Sequence, residues 1–124
     1  MNNNKKKPLA ITKNGIKKLA LSKYITFGNH TDDHVLCSNC NSFELIQEIG
    51  KCENKLKMIV GDKYINYLAY PNGDFDKTTI SILKKTNITY AFTTNPILIS
   101  RDIDFYKIPR AGVPDKTSQP ENLL

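Results

Sequence analysis

A long amphipathic segment, residues 42–60, constrains the fold of this chain more than any other part of its sequence. Asn41 is a favourable N-cap residue, and Glu44 three residues later can complete a capping box. Gly61 can supply the left-handed C′ position at which helices commonly end. The apolar residues recur every three or four positions, as on the buried face of a helix: Leu45, Ile46, Ile49, Cys52, Leu56, Ile59 and Val60. We therefore predict one long helix that packs on a sheet through this stripe, with Glu48 among the residues that face water.

Shorter elements alternate with this helix along the chain. Aromatic and β-branched runs predict strands, the last of them weaker than the others, over residues 24–28, 64–70, 88–94 and 104–108. Two short helices are predicted over residues 15–22 and 76–86, with Asp76 as the N-cap of the second. The residues of this second helix that should turn inwards are Ile80, Ile82 and Leu83. Because strands and helices alternate, we predict an α/β fold, a parallel sheet with helices outside it.

Length and charge limit the classes of protein that remain. The chain has 124 residues, of which 24% are charged and 40% hydrophobic, as in one ordinary globular domain. No apolar run approaches a membrane span, and the start lacks the apolar region of a signal peptide, so a cytoplasmic chain is the default expectation. Residues 1–23 hold seven lysines and no acid, while the remainder is close to neutral. We expect a solvated basic segment and no nucleic-acid partner, because no aromatic residue there could stack on bases.

Three cysteines are present, and two of them follow the histidines closely. Cys37 and Cys40 form a C-x2-C pair, which together with His30 and His34 could build a compact zinc knuckle. Four ligands in so short a stretch would be crowded, because tetrahedral sites usually take their pairs from two separated segments. We therefore expect free thiols, with Cys52 in the core, and keep the knuckle as an alternative.

Both histidines of the sequence follow the first predicted strand, in the run Gly28-Asn29-His30-Thr31-x-x-His34. A backbone that turns just past a strand can aim two imidazoles at one point, and imidazole is the commonest neutral metal ligand. Such pairs also occur on surfaces without any metal. The residues by themselves therefore indicate a candidate metal site, with an unpartnered surface pair as the alternative.

A second motif, Tyr70-Pro71-Asn72-Gly73, follows the strand predicted over residues 64–70. In this order and separation the two motifs resemble the polysaccharide deacetylase family (carbohydrate esterase family 4, the NodB-homology domain). The second motif of that family reads H-[ST]-x-x-H, and its third ends in Pro-x-Gly. The resemblance covers roughly residues 24–113 and implies a partial (β/α) barrel, between a basic segment 1–23 and a flexible tail 114–124.

The resemblance implies metal-dependent hydrolysis of acetamido groups on a carbohydrate, that is, hydrolysis of a carbon–nitrogen bond that is not a peptide bond. His30 and His34 would be the imidazole ligands of a divalent metal, Zn²⁺ or similar, and Thr31 would steady their loop by hydrogen bonding. The backbone N–H of Asn72 would help to hold the oxyanion. The residues expected to contact an N-acetylated polysaccharide substrate are Tyr70, Pro71 and Gly73.

The sequence departs from the family pattern at the acids. The family's first motif supplies two aspartates upstream of the histidines, one as a metal ligand and one as a base, but no Asp or Glu precedes Asp32 here. There is also no third histidine to act as the general acid. Asp32 and Asp33 lie between the ligands, and the loop that brings the histidines together should aim these carboxylates elsewhere. We therefore expect a truncated domain that holds its metal weakly, is incomplete or inactive as an isolated chain, and self-associates or needs a complementing chain.

Two other functions are compatible with the residues. The first is a catalytically dead remnant that binds glycan or protein through the surviving groove. The residues that could offer it aromatic faces are Tyr24, Tyr64, Tyr67, Tyr70 and Phe75. The second is a small metal-binding or nucleic-acid-binding module that uses the Cys/His cluster and the lysine-rich start. The order of the two motifs counts against this second alternative.

Overall fold

The computed structural model describes residues 10–112, in which helices and strands alternate as predicted. The elements are α1 (Lys13–Ala20), β1 (Phe27–Asn29), α2 (Ser42–Val60), β2 (Tyr64–Ala69), α3 (Lys77–Leu83) and β3 (Tyr90–Phe92). Short 3-10 turns lie at Cys37–Asn39, Gly61–Lys63 and Pro71–Gly73. The tail predicted over residues 114–124 and the first three lysines of the basic segment fall outside the described residues.

The three strands form one parallel sheet in the order β1-β2-β3. Phe27 is the partner of Tyr64 and Asn29 the partner of Leu68, with an irregularity between the two pairs. Parallel neighbours need a crossover connection, and α2 and α3 provide the two crossovers. The predicted α/β class and parallel sheet are therefore confirmed, and the sheet formed by residues 10–112 is partial and does not close into a barrel.

The outer side of β3 carries an irregular segment in place of the weak fourth strand predicted over residues 104–108. A single bridge joins Phe92 and Ile108. The Ala91 N–H donates to the Phe105 carbonyl over 2.8 Å, and the Ile108 N–H donates to the Ala91 carbonyl over 2.9 Å. A turn interrupts the ladder, because the Lys107 N–H is used by the Asp104 carbonyl at 2.9 Å. The prediction of a fourth strand is therefore wrong, although the segment does pair with β3.

Helix α2 begins and ends where the sequence predicts. Its capping box is complete, since the Asn41 side chain accepts from the Glu44 N–H and the Glu44 carboxylate accepts from the Asn41 N–H, both over 2.9 Å. Gly61 has a positive φ of 53°, as expected, but its ψ of −124° lies outside the left-handed helical region. The predicted stripe is too wide at one edge, where Ile46 remains 38% exposed. The fully buried part of the stripe is Leu45, Ile49 and Val60.

One hydrophobic core joins α2, α3 and the sheet. It consists of Cys37, Leu45, Ile49, Leu68, Tyr70, Ile82, Leu83, Ile88 and Ala91. Helix α3 is capped by Asp76 as predicted but ends at Leu83, before the expected residue 86. Helix α1 starts before the expected residue 15, because Thr12 caps it through a 3.1 Å bond from the Gly15 N–H. No helix within residues 10–112 is long and apolar enough to cross a membrane.

Candidate functional site

The two sequence motifs meet at the carboxyl-terminal edge of the sheet. His30 follows β1 directly, and the Pro71–Gly73 turn begins two residues after β2 ends. Because β1 and β2 are adjacent and parallel, the loops that follow them leave the sheet on the same side. In open parallel sheets this edge is the usual position of a ligand site.

The two imidazoles lie close together, as the sequence predicts. The ring centroids of His30 and His34 are 4.9 Å apart, with an interplanar angle of 71°. His30 Nδ1 is 2.7 Å from the Ala69 carbonyl oxygen. A carbonyl can only accept a hydrogen bond, so we assign the proton of the neutral ring to Nδ1, which leaves the Nε2 lone pair free. A backbone carbonyl behind a ring N–H is a common arrangement for a metal-ligating histidine.

Both loops contain strained backbone. Thr31 has a φ of 62°, His34 a φ of 54° and Asn72 a φ of 55°. These three are the non-glycine residues with positive φ in the part of the chain that the structure describes. Such a conformation is uncommon, above all for a β-branched residue, and costs on the order of 1–3 kcal/mol per residue. It persists only where surrounding contacts hold it, so the contacts of these loops bear directly on the geometry of the site.

Asn29, the last residue of β1, supplies several of those contacts. Its side chain is 2% exposed and accepts from the Thr31 N–H over 2.9 Å. Its amide group donates to the Ile49 carbonyl over 2.9 Å and to the Tyr64 hydroxyl over 3.3 Å. Thr31 Oγ1 in turn accepts from the Val35 N–H over 3.2 Å, in line with the expectation that Thr31 steadies the loop. The sequence analysis assigned no role to Asn29; its only signal was a polar residue at the end of an apolar strand.

The two aspartates between the histidines do not join them in a metal-binding cluster. Asp32 faces α2, where both of its oxygens accept from Lys55 Nζ, at 2.7 and 2.8 Å. Asp33 is exposed. Within residues 10–112, no three His, Cys, Asp or Glu side chains are grouped so that they could hold an ion. The described part of the chain therefore offers two imidazole ligands and no third ligand beside them.

The cysteines do not complete a zinc knuckle. Cys37 is 1% exposed and belongs to the core, and burial, with smaller contributions from Cys40 and Asp74, raises the pKa of its thiol to about 12. A thiol must lose its proton to bind zinc, so this residue is a poor ligand. Burial also raises the pKa of Cys40, whose Sγ lies 3.5 Å from the Leu36 carbonyl. The three thiols are free, as expected, but Cys52 is only partly buried and is not among the core residues, so its predicted place in the core is wrong.

The turn after β2, residues 71–73, is closed by two backbone hydrogen bonds. The Gly73 N–H donates to the Tyr70 carbonyl over 2.9 Å, and the Asp74 N–H donates to the Pro71 carbonyl over 3.0 Å. The exposed residue Asn72 lies between these two bonds. Gly73 is required at its position, because its φ is +68° and an added Cβ would overlap the Thr94 side chain, 3.0 Å from its Cβ.

Tyr70 lies in the core, although the sequence analysis expected it to contact substrate. Its side chain is 1% exposed, and its hydroxyl donates to the Tyr106 carbonyl over 2.8 Å. Its ring stacks on Phe75 with centroids 4.8 Å apart, and burial raises the pKa of its hydroxyl. A carbohydrate therefore cannot stack on the Tyr70 ring in this conformation, and Pro71, which was also expected to contact substrate, is buried as well. Of the other tyrosines considered, Tyr64 is 8% exposed and Tyr24 is 84% exposed.

Two acids that the sequence analysis left without a role contact the loop that bears the histidines. Glu48, expected to face water, accepts from the N–H groups of Asp32 and Asp33. Asp74, which follows the Pro-Asn-Gly turn, accepts from the N–H and the hydroxyl of Ser38. No periodicity signals such contacts, because each joins residues that are far apart in the chain.

Two surface grooves flank the site. One, of about 350 Å³, lies beside the Pro-Asn-Gly turn and is lined in part by Phe75, Asn95 and Lys107. The other, of about 430 Å³, lies between the histidine-bearing loop and α2, and its lining includes Phe43 and Gln47. Phe43 is 73% exposed, so this second groove has an aromatic ring at its surface.

Comparisons with known proteins agree with this geometry. The family model described as polysaccharide deacetylase matches residues 2–91. Among solved structures, the deacetylase PplD of Streptococcus pyogenes in complex with acetate is 24% identical, with a TM-score of 0.75, over 91% of this chain and 49% of that one. The protein BA0330 of Bacillus anthracis, provisionally assigned as a polysaccharide deacetylase, is 26% identical, with a TM-score of 0.69, over 82% of this chain and 32% of that one. The chain thus spans about half the length of the first and a third of the second. No curated protein matches the sequence.

Proposed function

The chain belongs to the polysaccharide deacetylase family, and from that premise we propose that its two histidines form part of a metal site for the hydrolysis of acetamido groups on a carbohydrate. The observation that carries this proposal is the pairing of the rings. His30 and His34 converge with centroids 4.9 Å apart, while the His30 Nδ1–H is held by a backbone carbonyl. Two surface histidines without a ligand would not need a ring orientation that is fixed by a backbone hydrogen bond.

The donor chemistry of this pair fits a divalent ion such as Zn²⁺. The chemistry that such an ion supplies when bound is polarisation of the acetamide carbonyl and a lower pKa of water. His30 would bind through Nε2, since its Nδ1 is committed to Ala69. Because residues 10–112 add no third His, Cys, Asp or Glu to the pair, we expect weak binding with solvent in the remaining positions.

The turn after β2 would stabilise developing charge on the substrate oxygen. Asn72 is exposed at the same edge of the sheet as the histidines, and the next two N–H groups, of Gly73 and Asp74, close its turn. A backbone donor fixed in this way is the usual element of an oxyanion site. Gly73 would shape the turn against the substrate, while Tyr70 and Pro71 would act through their backbone and their packing, since both side chains are buried.

Proton transfer is the step of the proposed reaction for which the described residues provide the fewest suitable groups. Asp32 is bound to Lys55, and general-base help is typically worth about 10²–10⁴ in rate. We therefore propose that residues 1–124 alone hydrolyse acetamides at close to the background rate. A second copy of the chain or a complementing chain would supply the carboxylates.

A metal titration tests the central part of this proposal. Zn²⁺ or Co²⁺ is added to the chain and to its His30→Ala and His34→Ala variants, and the heat of binding or the Co²⁺ absorbance is followed. We expect weak binding that either variant abolishes. Cys40→Ser is the matched control and should bind like the parent chain. If the cysteine variant loses the metal while the histidine variants keep it, the proposed site is wrong.

The alternative of a glycan-binding module is favoured by one observation, the exposed Phe43 ring at the 430 Å³ groove. Aromatic rings at the rim of a groove can stack on sugar faces, and Gln47 offers hydrogen bonds beside it. Binding of an N-acetylated oligosaccharide that Phe43→Ala abolishes and the two histidine variants leave unchanged would support this alternative. Loss of binding in the histidine variants would instead support the metal site.

A further inference from the structure

We propose that Glu48 and Asp74 are positioning residues, which hold the histidine loop, residues 30–38, at two separate points and thereby keep the two imidazoles in place. The inference rests on the proposed function, because it assigns these carboxylates to the same site. Neither is proposed as a metal ligand.

Glu48 holds the first part of the histidine loop. One oxygen of its carboxylate, Oε2, accepts from the Asp33 N–H over 2.8 Å and from the Asp32 N–H over 3.1 Å. Its side chain comes from the middle of α2 and is half-buried. Bonds to an ionised acceptor are roughly twice as strong as neutral ones, so two donors on one carboxylate oxygen form a firm attachment. This attachment lies directly between the two histidines.

Asp74 holds the end of the histidine loop. Its Oδ2 accepts from the Ser38 N–H over 2.8 Å, and its Oδ1 accepts from the Ser38 hydroxyl over 2.9 Å. Asp74 also ends the turn that presents Asn72, because its own N–H donates to the Pro71 carbonyl. It therefore ties the loop that bears the imidazoles to the turn that bears the proposed oxyanion donor.

The backbone of the histidine loop explains why such attachments matter. Thr31 and His34 both have positive φ, which is unfavourable for residues other than glycine. Glu48 binds the N–H groups of Asp32 and Asp33, which are adjacent to Thr31 and His34, and Asp74 binds the N–H of Ser38, four residues beyond His34. Without them the loop can relax towards ordinary φ values, and the ring of His34 would then move away from that of His30.

Two further contacts of the loop do not replace the carboxylates. Asn29 holds only the Thr31 N–H, at the start of the loop. Lys55 holds the Asp32 side chain, and Lys55 is itself 66% exposed, so that ion pair is screened by solvent. A third contact, from the Val35 N–H to Thr31 Oγ1, lies within the loop itself. Glu48 and Asp74 are therefore the groups of neighbouring elements that bind backbone N–H groups between Asp32 and Ser38.

The test compares Glu48→Ala, Glu48→Gln, Asp74→Ala and Asp74→Asn with the parent chain. The matched controls are Glu53→Ala, an acid on the same helix that pairs with Lys57, and Asp62→Ala, an exposed acid outside the loop. The first readout needs no metal: the imidazole ¹H–¹⁵N signals of His30 and His34, with amide exchange at Asp32, Asp33 and Ser38. The second is Zn²⁺ affinity by calorimetry.

We expect both alanine variants to shift the imidazole signals and to speed exchange of the amides that each carboxylate binds. Metal affinity should fall roughly 10- to 100-fold, as is typical when a group that orients a metal ligand is removed. The Gln and Asn variants should lose less metal affinity, because an amide oxygen still accepts a hydrogen bond. They also keep the side-chain volume, so they allow the test even where an alanine variant does not fold. Both controls should match the parent chain.

The outcomes separate this inference from the proposed function. If the parent chain binds no metal, the proposed function fails, and the imidazole signals alone decide whether the carboxylates position the rings. If the parent chain binds metal and all four variants keep both its affinity and its imidazole signals, the positioning role is overturned while the metal site stands. Faster amide exchange with unchanged imidazole signals would also overturn it, because the loop would then move without its histidines.

Discussion

His30 Nδ1 lies 2.7 Å from the carbonyl oxygen of Ala69, and this contact joins the end of β1 to the end of β2. The bond crosses between neighbouring parallel strands at the edge where the two motifs meet. The register of the sheet therefore determines which nitrogen of the first histidine is free. A slip of β1 against β2 would release the ring as well as disturb the core.

The first prediction concerns the proton on this ring. We expect neutral His30 to be the Nδ1–H tautomer, because the Ala69 carbonyl can only accept. A long-range ¹H–¹⁵N spectrum at mildly alkaline pH distinguishes the two tautomers directly. A neutral His30 with its proton on Nε2 would contradict the assignment and leave Nε2 without a free lone pair for a metal.

The second prediction concerns Gly73. We expect Gly73→Ala to destabilise the chain by about 1–3 kcal/mol. The alanine would have to adopt a φ of +68°, and its Cβ would have to displace the Thr94 side chain. Gly50→Ala is the control, because a Cβ there meets nothing within 4 Å and Ala is favoured over Gly in a helix by roughly 0.5–1 kcal/mol. Urea unfolding measures both variants. Equal stability of Gly73→Ala and the parent chain would show that the turn does not need glycine.

The third prediction concerns alkaline pH. Burial raises the pKa of Cys37 from 9.0 to about 12, so between these values the folded state holds a proton that the unfolded state has lost. The contribution of this group is complete below pH 9 and decreases as the pH rises towards about 12. We expect the free energy of unfolding to fall over this range and to fall less steeply in Cys37→Ala.

Cys40→Ser is the comparison for this measurement, since Cys40 is less buried and its removal should change the slope less. The urea midpoint is followed in steps from neutral pH to the onset of tyrosine ionisation. A slope that Cys37→Ala leaves unchanged would assign the alkaline loss to other groups.

The fourth prediction concerns catalysis. We expect no measurable acetate release from chitin-type or peptidoglycan-type oligosaccharides by residues 1–124 alone, with or without added Zn²⁺. A general base is typically worth about 10²–10⁴ in rate, and within residues 10–112 the nearby carboxylate of Asp32 is bound to Lys55. A family-like segment with two aspartates, added as a second chain, should restore some activity. Strong turnover by the single chain that His30→Ala/His34→Ala abolishes would contradict this and point to Asp32 or Asp33 as the base.

The fifth prediction concerns assembly. The sheet of residues 10–112 is partial, and several apolar side chains near its carboxyl-terminal edge are exposed, among them Ile97 at 61% and Leu98 at 93%. Exposed apolar surface and open strand edges favour association, so we expect dimers or larger species in light scattering. Ile97→Asn/Leu98→Asn should shift the chain towards monomer, with Met58→Asn on α2 as the control. A parent chain that stays monomeric at high concentration would contradict this expectation.

Local pattern was enough to predict much of the fold. Helix α2, its capping box, the N-cap of α3 and the parallel α/β sheet follow from periodicity and from short-range side-chain chemistry. The pairing of His30 and His34 followed from two histidines placed just after a strand. The errors lie where propensity was weak: the short strands were predicted too long, and the segment at residues 104–108 makes a turn because Asp104 binds the Lys107 and Tyr106 N–H groups.

The sequence by itself determined the long helix, the alternation of strands and helices and the position of both motifs just after a strand, because spacing and caps act within a few residues. Only the tertiary structure decided which polar groups that are distant in the sequence form hydrogen bonds with each other. Glu48 reaches Asp32 over a separation of 16 residues, Ser38 reaches Asp74 over 36, and His30 reaches Ala69 over 39. Tyr70 entered the core for the same reason, since Tyr106, 36 residues away, accepts its hydroxyl. Such partners depend on how helices pack on the sheet, and no local periodicity encodes that packing.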